Sequence, residues 1–416
     1  MIYFKHPELS DKYHVSLKTI HNWIDGAKQG KVALKLHTVS NRTYIANTPE
    51  NILALTKLAE KGKKYRNTLH HKTIQPEPAI YDILSRRQIL DVINNLNVHK
   101  ELPKQYDYLQ DGASNWDNWI KRLAKEDASA NLLKGTLELI HANMAVIDRL
   151  LVDNKKVNVI DLGVGNAYPV KELLAHLVEL GILHRYIAID ISPAMLEIAK
   201  RNVKEWFGED FPYEGYVRDI THEQFDDLLV DDMLDNKGEE TTNLVLMLGG
   251  TPTNFRSYGS AFRAAYNSMG SNDLIMHTIK PDTETARQYF DFNSTPNSND
   301  KLSPGDQNGY LLSLLNIDPS LYDVERGFDP TQMIRYVRIR LKASITVQFT
   351  FDKKKRTVSL EKGDTVLLHR IMHLSALEII SEFEKLGFTL LQSSLTKDRQ
   401  YLLTICGLET INRTDS

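Results

Sequence analysis

Apolar positions change their period along this chain, and each change marks a segment. Leu9, Tyr13, Val15, Ile20, Trp23 and Ile24 recur at spacings that suit two short helices packed across a turn. Ser10 is placed to cap a helix reaching about Val15, and Ser16 to cap a second near Leu17–Gly26. ALKLHTVSNRTYIANTP then reads as two strands about a Ser-Asn-Arg turn, and Leu53 to Leu58 predict a closing helix that ends at Gly62. Residues 63–80 lose all periodicity and read as a linker, whose adjacent His70 and His71 diverge too far to share a metal. Helical spacing returns in Ile80–Ile93 and Leu132–Leu151, so residues 81–150 are expected to be helical. Between those stretches Tyr106, Tyr108, Trp116 and Trp119 offer either core packing or the wall of a pocket. From residue 157 onward buried strands alternate with amphipathic helices: VNVIDLGVGNAYPVKELL, RYIAIDISPAMLEIAKRNV, YEGYVRDIT and TNLVLMLGGTPTNF. Such alternation predicts an α/β fold with a parallel, doubly wound sheet, whose ligand binds at the carboxyl ends of the strands.

Composition narrows the class. The 416 residues are 42% hydrophobic and 25% charged, which excludes wholesale disorder. No apolar run approaches the roughly 18 residues of a membrane span, and the opening MIYFKHPELSDKY is too polar for a signal peptide. One cysteine, Cys406, excludes an intrachain disulfide framework and points to a reducing, cytoplasmic location. Charge is uneven: residues 1–72 carry 13 Lys and Arg against 5 Asp and Glu, while the rest of the chain carries a surplus of 11 negative charges. A basic head on an acidic body suits either a polyanion partner or a solvated lysine-rich face. LSDKYHVSLKTIHNWIDGAKQGK resembles the helix-turn-helix of excisionase-like regulators, with the two strands after it as a wing. That resemblance implies DNA contacts from Ser16, Lys18, Thr19, His21, Asn22 and the wing-tip Arg42, and makes a homodimer on a two-fold site conceivable.

The chemistry lies at the strand tips. Gly163 and Gly165 follow the first strand, but Tyr168 stands where a dinucleotide fingerprint wants its third glycine. Asp161 at the end of that strand would repel a pyrophosphate and welcome an ammonium group. S-adenosylmethionine (SAM) has an amino-acid head, a sulfonium and a ribose, and no phosphate. Asp190, followed by Ser192 and Met195, would accept both ribose hydroxyls, and Asp219 with Ile220 would grip adenine. Leu248 and Gly249 close the set after the fourth strand.

The series resembles class I SAM-dependent methyltransferases over roughly residues 130–416. More narrowly, LGVGNAYPVKELL, AIDISPAMLEIA and LVLMLGGTPTNF resemble the histidine-specific methyltransferase family. The resemblance implies a Rossmann-like core over residues 151–280, a substrate-covering insert over 281–345, and closing strands and a helix over 346–416, preceded by the head at 1–62, the linker at 63–80 and the helical lead-in at 81–150. It puts Asn254 and Phe255 at the substrate amine, with Tyr289 from the insert. The family's glutamate, which holds the substrate imidazole, aligns with Arg338, and Arg340 follows two residues on. Arginines there would favour an acidic acceptor over histidine; on a strand, however, Tyr336, Arg338 and Arg340 share one face, which would equally let them point outward. An amine acceptor must shed a proton, for which Tyr258, Tyr310 and His277 are candidates. His369 and His373, four apart in HRIMH, are expected to share a helix face and to hold no metal.

Two function classes follow. One is a SAM-dependent enzyme that methylates an amine of a small molecule or amino acid other than histidine. The other is a DNA-binding regulator whose methyltransferase-like body senses SAM or another metabolite.

Overall fold

The computed structural model describes residues 3–13, 15–39, 42–69, 72–109, 111–125, 131–151, 156–230, 241–284 and 308–408. Contacts divide the chain into two compact units, residues 1–73 with 343–346, and residues 74–342 with 347–416.

In the first unit a strand β1 (Tyr3–Phe4) precedes helices His6–Tyr13 and Leu17–Lys28, a hairpin of β2 (Leu36–Val39) and β3 (Arg42–Ala46), and a helix Pro49–Leu69. Leu9, Val15, Ile20, Trp23, Ile24, Ile45 and Leu55 form its core. The buried amide of Asn51 binds the hairpin's approach: it accepts from Lys35 N at 2.9 Å and donates to the carbonyls of Lys35 and Ala46. Two expectations need correction. Ser10 sits inside the first helix, where its hydroxyl donates to the Val15 carbonyl at 2.6 Å. Gly62 does not stop the last helix, which runs on to Leu69 through the expected linker; one glycine costs only about 1 kcal/mol within a helix. Of the residues assigned to a DNA face, Ser16 caps the second helix by accepting from Thr19 N at 3.2 Å, and the two hydroxyls bond each other at 2.9 Å. Lys18, His21, Asn22 and Arg42 are exposed.

A short strand β4 (Lys72–Ile74) lies at the boundary. The second unit is built on a seven-stranded sheet. Its parallel part contains β5 (Lys156–Leu162), β6 (Leu183–Asp190), β7 (Tyr213–Val217), β8 (Thr241–Leu248) and β9 (Leu274–Ile279). Next in sequence come β10 (Tyr322–Asp329), β11 (Ile334–Leu341), β12 (Ile345–Phe351), β13 (Lys354–Leu360) and β14 (Thr365–Met372), of which β10, β11 and β14 make a separate antiparallel sheet. β15 (Phe388–Leu395) and β16 (Leu402–Leu408) then return to the main sheet, whose order is β7-β6-β5-β8-β9-β16-β15 with β16 antiparallel to both neighbours. This is a doubly wound, Rossmann-like fold, and its strand order reverses at β5, where β6 lies on one side and β8 on the other.

Strand alternation explains how this sheet is covered. Val157, Val159, Tyr186, Ala188, Leu244 and Leu246 face the helices Leu132–Leu151, Lys171–Glu179 and Pro193–Phe207. Ile160, Leu162, Ile187, Ile189, Val245 and Met247 face the helices Ser260–Ser268 and Ala376–Leu386. Burial on both faces is why these strands read as continuous apolar runs. HRIMH, expected on a helix, lies instead on β14 and the residue just past it. No helix among the described residues is long and apolar enough to cross a membrane.

Phe383 anchors the second face, with its ring centroid 4.5 Å from that of Phe262 and 5.6 Å from that of Phe388. Phe383→Ala is expected to cost about 3–5 kcal/mol of unfolding free energy in urea titration, the range for emptying a buried aromatic site.

Candidate functional site

A cavity of about 540 Å³ opens at the carboxyl edge of the sheet, beside the point where strand order reverses. Its floor is the turn after β5. Gly163 (φ 71°) and Gly165 (φ 55°) take left-handed conformations, and a Cβ added to Gly165 would lie 3.2 Å from Trp116 Nε1. Bare backbone forms the floor because these left-handed conformations disfavour a side chain at both positions. Asp190 at the tip of β6 pulls this turn toward the next helix: one carboxylate oxygen accepts from Gly165 N at 3.3 Å and the other from Ser192 N at 3.0 Å. Burial pushes the Asp190 carboxyl up to about 6, against the opposing pull of these backbone donors. Asp219 and Ile220, just past β7, form the adjoining wall; the Asp219 carboxylate accepts from Thr221 N at 3.0 Å.

Tyr108 and Trp116 line the cavity, edge to face at 5.5 Å. The helix Asp111–Lys125, which carries Trp116, is latched to the glycine turn because Asn166 Nδ2 donates to Asp117 Oδ1 at 3.0 Å. Another stretch of wall is polar. Asn254 and Phe255 come from the turn after β8, Lys280 follows β9, Arg335 comes from β11, and His369 from β14. His369 Nε2 donates to Asn254 Oδ1 at 3.0 Å. Burial first, then the charges of Lys104, Arg335 and Arg326, push the His369 imidazolium well below the ordinary histidine range, so the ring is neutral at neutral pH. Among the described residues no group of three or more His, Cys, Asp or Glu side chains is placed to hold a metal ion.

Gly163, Gly165, Asp190, Met195, Asp219, Ile220, Leu248 and Gly249 of the expected cofactor set line this cavity, as do Asn254 and Phe255 of the substrate set. The others do not. Asp161 lies beneath the floor, where Tyr186 donates its hydroxyl at 2.9 Å and burial pushes the carboxyl up to about 7. Ser192 is fully buried and spends its hydroxyl as helix cap, accepting from Met195 N. Tyr258 and His277 bond each other at 2.6 Å inside the core, and burial pushes His277 down to about 4. Strand parity accounts for this: His277 shares a face of β9 with Ile275, the face covered by the helices Ser260–Ser268 and Ala376–Leu386. Tyr310 is buried in its own short helix, away from the wall, and Tyr289 lies outside the described residues. Arg338 and Arg340 both grip Glu325 on the neighbouring strand, at 2.7 and 2.5 Å, and Arg338 stacks on Tyr336. They share the face that does not line the cavity.

Sequence reasoning missed Lys104, Lys280, Arg335 and His369. Lys280 was accessible by the rule that ligands meet strand carboxyl ends, since it follows the last residue of β9. Arg335 was accessible by parity with Val337 and Ile339, the face opposite Arg338.

The residues fit SAM: a bare-backbone floor, a carboxylate at the tip of β6 and a neighbouring wall of Asp219 and Ile220. A family model described as histidine-specific methyltransferase, SAM-dependent, matches residues 86–407. A search of curated proteins finds no match. Among solved structures, the chain is similar to a SAM-dependent methyltransferase from Clostridium acetobutylicum ATCC 824, with 10% identity, 71% of this chain and 99% of that chain covered, and a TM-score of 0.40. It is similar to the CcbJ methyltransferase from Streptomyces caelestis at 11% identity, with 68% and 97% covered and a TM-score of 0.37. A third is the glycopeptide N-methyltransferase MtfA complexed with SAM, at 13% identity, 66% and 94% covered, and a TM-score of 0.32.

A ribose whose hydroxyls donated to the ionised Asp190 carboxylate would lower its pKa from about 6. SAM affinity is therefore expected to be full above that value and to fall by up to about tenfold per pH unit below it. Calorimetric titrations from pH 5 to 8 check this, and Asp190→Asn is expected to bind weakly with little of that slope.

Proposed function

Because the chain belongs to the SAM-dependent, histidine-specific methyltransferase family, we propose that it methylates an amine of a small molecule other than histidine. The observation that carries this reading is one cavity whose wall combines the Gly163–Gly165–Asp190 floor with the Asn254–His369 pair.

Bound SAM supplies a methyl group already activated by its sulfonium. The protein's task is alignment, worth several kcal/mol of barrier when the reacting atoms are held in line. Gly163 and Gly165 let the cofactor lie against bare backbone, Asp190 accepts its ribose hydroxyls, and Asp219 with Ile220 flank the adenine. Asn254 orients the acceptor nitrogen. Its amide is itself oriented by His369, whose Nε2–H occupies one lone pair of Oδ1 and leaves the other to accept an N–H from the substrate. Tyr108 and Trp116 exclude water from the space between donor and acceptor.

An acceptor other than histidine is supported by the side chain that meets Asn254. His369 is a neutral imidazole, and the carboxylates of the described lining, Asp190 and Asp219, belong to the tips of β6 and β7. Among the described residues, the lining carries no other carboxylate to hold an imidazolium. The regulator reading is not carried further, since the family match lies over residues 86–407 and gives it no support.

Incubation with methyl-labelled SAM and a panel of amines, read by mass spectrometry, is expected to show label on a nitrogen of at least one member and none on histidine. Asn254→Ala is expected to reduce kcat by about 10- to 100-fold, the loss typical of a mis-set near-attack geometry, while SAM affinity stays within twofold. Label on histidine at rates matching the best amine would overturn the substrate assignment.

A further inference from the structure

We propose that Glu101 is a positioning residue of this site: its carboxylate clips the turn that carries Asn254 to the strand that carries His369, and so sets the geometry of that pair. The proposal rests on the methyl-transfer reading above, in which Asn254 orients the acceptor nitrogen.

The pair spans two separate elements. Asn254 ends the turn Thr251–Asn254 after β8, at the carboxyl edge of the main sheet, whereas His369 lies on β14 of the covering sheet. One side-chain bond of 3.0 Å joins them, and a lone neutral hydrogen bond contributes little net to holding two elements in register.

One carboxylate reaches both sides. Arg370, the residue after His369, donates from Nε to Glu101 Oε1 at 2.9 Å and from Nη2 to Oε2 at 2.5 Å, a two-pronged grip. Arg256, two residues beyond Asn254, brings its Nε within 3.7 Å of Oε2. Glu101 is only 8% exposed, so solvent screens these contacts little. None of the three residues lines the cavity. Alternation explains why: His369 and Ile371 line it, which sends Arg370 to the other face of β14. Glu101 therefore acts on the site from behind, through its neighbours.

Backbone bonds fix the carboxylate in turn. Leu367 N donates to Lys100 O and Leu102 N to Leu367 O, both at 2.8 Å, so residues 100–102 run alongside β14. The same stretch leads into the turn Lys104–Tyr108, whose Lys104, Gln105 and Tyr108 line the cavity. Glu101 thus sits where the aromatic wall, the covering strand and the Asn254 turn converge. Deleting its charge would leave the Arg370 guanidinium largely buried without that counter-charge, and strand and turn would relax apart. A misplacement of about 1 Å at reacting atoms costs up to about 100-fold in rate.

Glu325 supplies an internal control. Two arginines hold it as well, Arg338 and Arg340 on the same covering sheet, but neither is next to His369 or near Asn254 in the chain.

The test uses the full chain carrying isotope-labelled histidine and saturated with S-adenosylhomocysteine, read by NMR, with the His369 signals identified by their loss in His369→Asn. In the wild type the ring is expected as the neutral tautomer protonated at Nε2. Glu101→Gln and Arg256→Gln are each expected to move those signals toward a mixture of tautomers. Each is also expected to lower kcat about tenfold for whichever amine accepts label, with SAM affinity within twofold. Arg256→Gln leaves the Glu101–Arg370 pair whole, so it decides the case if Glu101→Gln does not fold. Glu325→Gln is expected to lower stability while leaving the His369 signals in place and kcat within twofold. Unchanged His369 signals in both Glu101→Gln and Arg256→Gln, or the same movement in Glu325→Gln, would overturn the proposal. Methylation of no amine by the wild-type protein would overturn the methyl-transfer reading instead, while the histidine spectra still judge the clamp.

Discussion

The ligand edge of this protein is organised around one buried carboxylate. Asp190 would be protonated more readily by burial, yet it accepts backbone N–H groups from both Gly165 and Ser192. Those two bonds join the glycine turn after β5 to the start of the helix Pro193–Phe207, so the floor and the neighbouring helix are set by one group. The left-handed Gly165 then brings bare backbone against Trp116, and the Asn166–Asp117 bond holds the Trp116 helix over it. Asp161, beneath the floor, is likewise raised by burial. Between about pH 4 and 7 both acids bind protons more tightly in the folded chain than unfolded. Their burial therefore lowers stability increasingly as pH rises through that window, a cost borne for a preorganised site.

The alternating faces of the sheet decide what can take part in chemistry. His277 and Tyr258 combine a histidine with a tyrosine at bonding distance, an attractive pair for proton transfer. Strand parity turns them into the aromatic core with Phe262 and Phe383. The polar wall opposite the cofactor floor is assembled instead from the turn after β8, the end of β9 and the antiparallel sheet of β10, β11 and β14. The polar wall is thus shared between the carboxyl edge of the main sheet and the inward residues of the covering strands.

The parallel sheet was legible from sequence because each of its strands is buried on both faces and ends at a marked residue: Gly163 after β5, Asp190 on β6, Asp219 after β7, Gly249 after β8. The covering sheet was not. Its strands are half-exposed, so assigning their inward residues needs the register: of the two orientations open for Arg338 and Arg340 the outward one holds, and Arg335 lines the cavity. The histidines of HRIMH show a deeper ambiguity: a spacing of four places two side chains on one face of a helix and also on one face of a strand. Only the pairing of β14 with β11 separates those cases. The helix Pro49–Leu69 was cut short because Gly62 looked like a stop, although a single glycine is a weak one.

The most direct measurement is a crystal structure of the protein with S-adenosylhomocysteine. The account predicts both ribose hydroxyls on the Asp190 carboxylate, adenine beside Asp219 and Ile220, and the sulfur directed toward Asn254 and His369. A nucleoside bound elsewhere, or a sulfur turned away from Asn254, would contradict it.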